Sequence, residues 1–354
     1  MAQMHDCPPN GQVRVLIVDD APIMRRAIQE ILHDKDGIEV IGTATNGREC
    51  LEKIGQLRPD VITLDIDMPV MNGITTVKNI MIRHQIPVVM ISSLVEDGYF
   101  AFEALRLGVV DFIPKPTRLN GGNWKQDEEL LTLRVRIASG MQVHRMRRVR
   151  KSKNRRARGI DYELRPSTVT VVGTTLAGPN SIMHMVSHLP RNFDGAIVAL
   201  QEIHPRVLKP FCQYFNEISP VEVVPLTEDM PLHTGKVYMG STLVGARIGN
   251  SQPDGGYLLR VEESVDFPIN QLFKSAADHF GRLSCGILLT GLGVDGTQGM
   301  KAIKESGGLT LGQVQECSVY PNLVQNAVDS NVVDALLSNH GIAKRIVTWT
   351  QKPR

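Results

Sequence analysis

From Val13 the chain alternates short apolar runs with longer amphipathic ones. Val13 to Val18 reads Val-Arg-Val-Leu-Ile-Val, nearly unbroken, as expected of a strand buried on both faces. Pro22 then stands just inside a helix start, where a missing N–H costs nothing. Ile23, Ala27, Ile28, Ile31 and Leu32 recur on one face of that helix. The same alternation predicts strands at 39–43, 61–64, 88–91 and 111–113, with helices between them. Strands separated by helices imply parallel β-α-β units.

A composition break at about residue 130 leads into a basic run. Nine lysines and arginines fall between Arg145 and Arg158 with almost no acid among them, which reads as a solvated tether or a contact to an anionic surface. A second α/β pattern follows. Strands are predicted at 168–172, 196–200 and 286–290. The first runs into the small-residue turn Gly173-Thr-Thr-Leu-Ala-Gly178, and the last into Gly291-Leu-Gly-Val-Asp-Gly296. The expected boundaries are therefore a first domain over 13–130, a basic linker over 131–166 and a second domain over 167–350.

Composition narrows the class only slightly. The chain has 354 residues, 42% hydrophobic and 21% charged, with a formal net charge of +2. That describes an ordinary two-domain globular protein with no overall pull toward nucleic acid or membrane. The five cysteines (Cys7, Cys50, Cys212, Cys285, Cys317) include no C-x-x-C pair, which argues against a disulfide framework or zinc knuckle and for a reducing compartment. Without a signal-peptide core or a long apolar run, a cytoplasmic location is expected.

The chemistry gathers at predicted strand ends, where open parallel sheets carry their sites. Asp19 and Asp20 close the first strand and Asp65 the third. Three carboxylates at one edge repel unless a hard cation joins them, and Mg²⁺, which prefers oxygen ligands, suits the set. Ser92 ends the next strand and Lys115 follows the last. They supply a hydroxyl and a positive charge to a phosphoryl group.

These residues stand in the runs Val-Asp19-Asp20, Leu-Asp65-Ile-Asp-Met-Pro-Val-Met-Asn-Gly, Met-Ile-Ser92-Ser and Asp-Phe-Ile-Pro-Lys115-Pro. The stretch resembles the receiver domains of two-component signalling. The resemblance implies a flavodoxin-like fold, phosphorylation at Asp65, Mg²⁺ held by Asp19, Asp20 and Asp65, and Ser92 and Phe112 as switch residues. It also implies a histidine kinase as partner.

The second domain carries Thr290-Gly-Leu-Gly-Val-Asp295-Gly-Thr-Gln-Gly-Met300. With it, the whole chain resembles the CheB family of response-regulator protein-glutamate methylesterases and protein-glutamine deamidases, whose second domain is a doubly wound α/β fold acting on chemoreceptors. In that family a serine, a histidine and an aspartate form the triad. Asp295 matches the aspartate. Thr175 occupies the serine position of a run resembling G-x-S-T-G-G, and Glu202 the histidine position of a run resembling Q-H-M-P-P. A carboxylate of ordinary pKa about 4.3 is a poor base toward a hydroxyl. His204, two residues on, reaches the site only if the loop shifts register. Met239-Gly-Ser-Thr-Leu and Asn322-Leu-Val324 depart from further family runs.

Three readings follow. The receiver controls a CheB-fold domain that has lost chemistry and binds chemoreceptors or other signalling proteins; or the domain stays an esterase or deamidase through Thr175 and a rearranged His204; or the basic linker binds nucleic acid. The third is weakest, because no helix-turn-helix or zinc pattern follows the receiver. The damaged triad favours the first over the second. Elsewhere, His184 and His188 stand four apart, a spacing that can bind metal, but no third ligand is evident in the sequence and an exposed helix face is the expected reading.

Overall fold

The computed structural model describes residues 11–33, 35, 37–92, 98–116, 124–145, 164–250, 256–263 and 265–351. The chain divides into two units, Met1–His144 and Arg145–Arg354.

The first unit runs β1 (Val13–Val18), α1 (Pro22–His33), β2 (Ile38–Ala44), α2 (Gly47–Leu57), β3 (Val61–Leu64), α3 (Gly73–Arg83), β4 (Val88–Ser92), α4 (Gly98–Leu107), β5 (Asp111–Pro114) and α5 (Trp124–Ser139). Its sheet is parallel, in the order β2-β1-β3-β4-β5, the flavodoxin-like arrangement. Local chemistry sets the helix starts. The side chain of Asn46 accepts from Arg48 N and Glu49 N at the head of α2, and that of Asn72 accepts from Thr75 N at the head of α3.

The boundary expected at residue 130 falls inside α5. Leu131, Val135 and Ala138 are buried at the spacing of one helical face, and Arg134 Nε pairs with Asp111 Oδ2 at 3.1 Å. Arg136, between those apolar positions, is exposed on the helix's outer face, and in the sequence this alternation reads as the start of a linker. Residues 143–145 form a 3-10 turn. The rest of the basic run lies outside the described residues.

The second unit runs β6 (Val169–Gly173), α6 (Gly178–Val186), β7 (Ala196–Gln201), α7 (Pro205–Asn216), β8 (Glu222–Pro225), β9 (Met230–Pro231), β10 (Lys236–Ser241), β11 (Val244–Asn250), β12 (Tyr257–Glu263), α8 (Pro268–Phe280), β13 (Ser284–Leu288), α9 (Thr297–Glu305), β14 (Leu309–Gln313), α10 (Asn322–Asp329), β15 (Ala335–Leu337) and α11 (Asn339–Thr350). Seven parallel strands order as β15-β14-β13-β6-β7-β10-β8, beside a small antiparallel sheet β11-β12-β9. The core is built by Val169, Val171, Val198, Leu288, Phe273 and their neighbours, all fully buried.

Strand β6 pairs with β13 on one side and β7 on the other. The turns that follow these three strands are therefore neighbours at one sheet edge.

Candidate functional site

In the first unit the order of the sheet sets β1 beside β3, with Val18 opposite Leu64. The residues leaving those strands, Asp19, Asp20 and Asp65, consequently meet at the carboxyl edge. Among the described residues they are the one group whose candidate ligand atoms all lie within 4.8 Å of one another. Asp19 and Asp65 are buried, while Asp20 is exposed. Lys115 reaches over from the end of β5, its Nζ 2.7 Å from Asp65 Oδ2 and 2.8 Å from Asp19 Oδ2. Asp65 Oδ1 accepts from Ile66 N at 2.7 Å.

Burial pushes the Asp65 carboxyl above the ordinary aspartate range, against the pull of Lys115. Burial also opposes the Lys115 charge, but the two carboxylates hold that lysine above its ordinary value. Ser92 is buried at the end of β4, and Phe112 on β5 is half-buried against the core. Gly73 in the acceptor motif has a plain reason: a Cβ there would lie 2.3 Å from the Asp65 carbonyl oxygen. The oxygen-only donors, with one exposed member leaving room for retained waters, fit Mg²⁺.

In the second unit the strand-to-helix turn after β6 carries Thr175. Its Oγ1 accepts from Leu292 N at 2.7 Å and lies 3.2 Å from Leu292 O. Thr174 Oγ1 donates to the carbonyl of Thr290, locking the two turns together. Gly291 is required by this approach, since a Cβ would fall 2.3 Å from Thr175 Oγ1. Ala177 stands at φ +55, in the left-handed region, where an alanine pays about 1–2 kcal/mol; the family run has glycine there.

Asp295 lies in the turn after β13. Its Oδ2 accepts from Ile269 N at 2.9 Å and its Oδ1 from Asn270 N at 2.8 Å. Helix α8 has no side-chain cap of its own, so Asp295 supplies the cap from another segment and sets a negative charge at the helix's positive end. The clamp is reciprocal, because Asn270 Oδ1 accepts from Gly296 N at 3.0 Å and Gly299 N at 2.8 Å. Burial raises the Asp295 carboxyl above its ordinary pKa even though these amides pull it down.

Glu202 is half-buried just beyond β7. His204 is exposed and caps α7, its Nδ1 accepting from Arg206 N at 3.3 Å. The turns bearing Thr175, Glu202 and Asp295 thus share one edge, as their strand-end positions imply. Among the described residues no hydrogen bond joins Thr175, His204 or Asp295 to one another.

Sequence reasoning missed Asn322 and Asn326, which bracket the glycine-rich turn. Gly293 N donates to Asn322 Oδ1 at 2.9 Å, and Asn326 Nδ2 donates to Gly293 O at 2.7 Å. The departure from the family run at Asn322 was the available signal. It also missed His340, which meets His188; His184 is half-buried rather than on an exposed face.

Three acids, a hydroxyl and a lysine at the strand ends of a 2-1-3-4-5 sheet define a response-regulator receiver, and residues 15–121 match the response regulator receiver domain model. Residues 170–346 match the CheB methylesterase model, and the chain belongs to the CheB family. The protein-glutamate methylesterase/protein-glutamine glutaminase of Caldanaerobacter subterraneus subsp. tengcongensis is 36% identical over 334 residues, covering 90% of this chain and 91% of that protein. Its counterpart in Archaeoglobus fulgidus is 32% identical over 348 residues, covering 96% and 98%. The crystal structure of the response regulator domain of Thermotoga maritima CheB aligns with 37% of this chain and 98% of its own, at 41% identity and a TM-score of 0.35. No helix among the described residues is long and apolar enough to cross a membrane.

Proposed function

We propose that Asp65 accepts a phosphoryl group from the histidine kinase of a chemotaxis-type system, and that this modification controls a CheB-fold output domain that works by binding rather than hydrolysis. Asp19, Asp20 and Asp65 would hold Mg²⁺, which supplies positive charge to the phosphoryl oxygens. An Asp65 carboxylate oxygen bonds to phosphorus as the donor's bond to phosphorus breaks. Lys115, already 2.7 Å from Asp65, pairs with the new charge. Ser92 and Phe112 would respond to it through a hydroxyl and an aromatic ring. Chemoreceptors or other signalling proteins are the partners this reading implies, in the cytoplasm.

The observation that carries the loss of hydrolysis is that the hydrogen bonds of Thr175, His204 and Asp295 each close on backbone groups of other residues. The position resembling the family's base holds Glu202. Removing the histidine of such a triad costs on the order of a millionfold in a well-studied serine protease, leaving roughly a thousand- to ten-thousandfold over water. The test is methyl-ester release from a methylated receptor by the phosphorylated protein. Background turnover is expected. Turnover matching an intact family esterase, and lost in Thr175→Ala, would refute the reading.

One contact favours the alternative, a methylesterase or deamidase like the named relatives: the Leu292 N–H held on Thr175 Oγ1, a donor beside a hydroxyl. That reading requires His204 to leave the α7 cap, so His204→Ala in the same assay separates the two.

A further inference from the structure

In the first turn of α1, Arg25 folds its side chain back over the head of its own helix. One nitrogen, Nη1, donates to the carbonyl oxygen of Asp19 at 2.7 Å and to that of Asp20 at 2.9 Å. The Arg25 amide meanwhile closes the helix turn on Ala21 O at 3.1 Å. The guanidinium thus grips the main chain of both acids that follow β1, and its bonds go to their carbonyls rather than their carboxylates.

This placement runs against the usual electrostatics of a helix. The head of a helix is its positive end, where anions are favoured and cations are not. No acid stands in the first turn of α1 to offset the charge. What offsets it lies outside the helix, in the three carboxylates of Asp19, Asp20 and Asp65, whose candidate ligand atoms lie within 4.8 Å of one another.

Those three acids are not held alike. Asp19 is fixed at both oxygens, with Oδ1 accepting from Ala21 N at 2.8 Å and Oδ2 facing Lys115 Nζ at 2.8 Å. Asp65 is fixed in the same way by Ile66 N and Lys115. Asp20 is exposed, and among the described residues no hydrogen bond or ion pair holds its carboxylate. Its place in the trio is therefore set by its backbone, and the side chain bonded to that backbone is Arg25.

We propose that Arg25 is a positioning residue for the metal: by holding the Asp19–Asp20 turn, it keeps the Asp20 carboxylate where Mg²⁺ would be bound. This rests on the Mg²⁺ reading of the acidic trio. Arg25 has two effects on a cation there, of opposite sign. Its charge repels the ion through space, an effect that salt and water screen at a half-exposed side chain. Its bonds preassemble the ligands, and removing an outer support of this kind typically costs about ten- to a hundredfold in metal affinity. Positioning is the larger effect, so loss of Arg25 weakens the site.

The test is calorimetric titration of the full-length chain with Mg²⁺, for the native protein, Asp20→Asn, Arg25→Ala and Arg25→Lys, with the metal-free melting temperature of each. Alanine is the best helix former, so α1 survives the first Arg25 change. Arg25→Ala is expected to weaken Mg²⁺ binding at least about tenfold. Arg25→Lys, which keeps a donor for one carbonyl, should lose less. Unchanged Mg²⁺ affinity in Arg25→Ala, with only the metal-free melting temperature lowered, would make Arg25 a brace of the helix head and overturn the proposal. Tighter binding in Arg25→Ala overturns it too, because charge alone would then be acting. A native chain that binds no Mg²⁺ overturns the metal reading and the proposal together, whereas native binding that Asp20→Asn weakens and Arg25→Ala does not overturns the proposal alone.

Discussion

Replacing Asp295 with alanine separates a structural aspartate from a catalytic one. The side chain accepts from Ile269 N and Asn270 N, and both of those residues are buried. Alanine leaves two N–H groups at the head of α8 unpaired and removes the charge that faces the helix dipole. Hydrogen bonds to a charged group contribute about 1.5–3 kcal/mol each. The burial that raises the Asp295 pKa offsets part of this, so the second unit should lose about 2–4 kcal/mol. For a unit of this size that lowers the melting temperature by about 5–10 °C.

The chain has two tryptophans, of which Trp349, on α11, lies in the second unit. Unfolding followed by fluorescence in a Trp124→Phe background isolates the transition. Asp295→Asn should recover about half of the loss, since its amide oxygen accepts one N–H while its NH₂ faces the other. The pH dependence has a definite sign. Because the folded pKa is raised, the folded state binds this proton more tightly than the unfolded chain, and the stability linked to it grows as pH falls through the folded value. The gap between native and Asp295→Ala should therefore widen toward acid. A loss below about 0.5 kcal/mol would refute the capping account, and a gap that narrows toward acid would refute the raised pKa.

Three further outcomes are expected. Asp65→Asn should abolish labelling by a small phosphodonor, and persistent base-labile label would refute Asp65 as the acceptor. Mg²⁺ at about a hundred times its dissociation constant should stabilise the receiver by about 2.7 kcal/mol, read as a shift of its calorimetric transition; Asp20→Asn should weaken that shift, and an unchanged shift would remove Asp20 from the metal set. Thr175→Ser should leave ester hydrolysis within about tenfold of background, because a hydroxyl without a base stays a weak nucleophile. A larger rise would mean that the threonine methyl limits the site, and would refute the proposed loss of hydrolysis.

The receiver was legible because its chemistry is local. Asp19, Asp20, Asp65, Ser92 and Lys115 each sit within a residue or two of a strand end, so reading the strands placed the site. The end of α5 was not legible, because its buried face is only Leu131, Val135 and Ala138 among charged neighbours. The antiparallel layer of β11, β12 and β9 escaped too; its strands interleave polar and apolar residues. In the second unit the sequence located the edge but not the bonding. Whether Asp295 faces a histidine or the head of α8 depends on where α8 begins, and α8 starts after a left-handed Phe267 (φ +54) without a side-chain cap. His340 and His188 are far apart in the chain, and no periodicity connects them.

The sheet-edge placement of Thr175, Glu202 and Asp295 has an evolutionary consequence. The side chains that hold the second unit together, such as Val171, Val198 and Leu288, lie on the strands below the edge. The positions that decide chemistry lie in the turns beyond the strand ends. Substitutions at Thr175 and Glu202 therefore leave the core untouched, and a lineage can lose or regain hydrolysis without passing through an unfolded ancestor. Asp295 is the exception. It caps α8, so a substitution there costs folding as well as any chemistry at the edge.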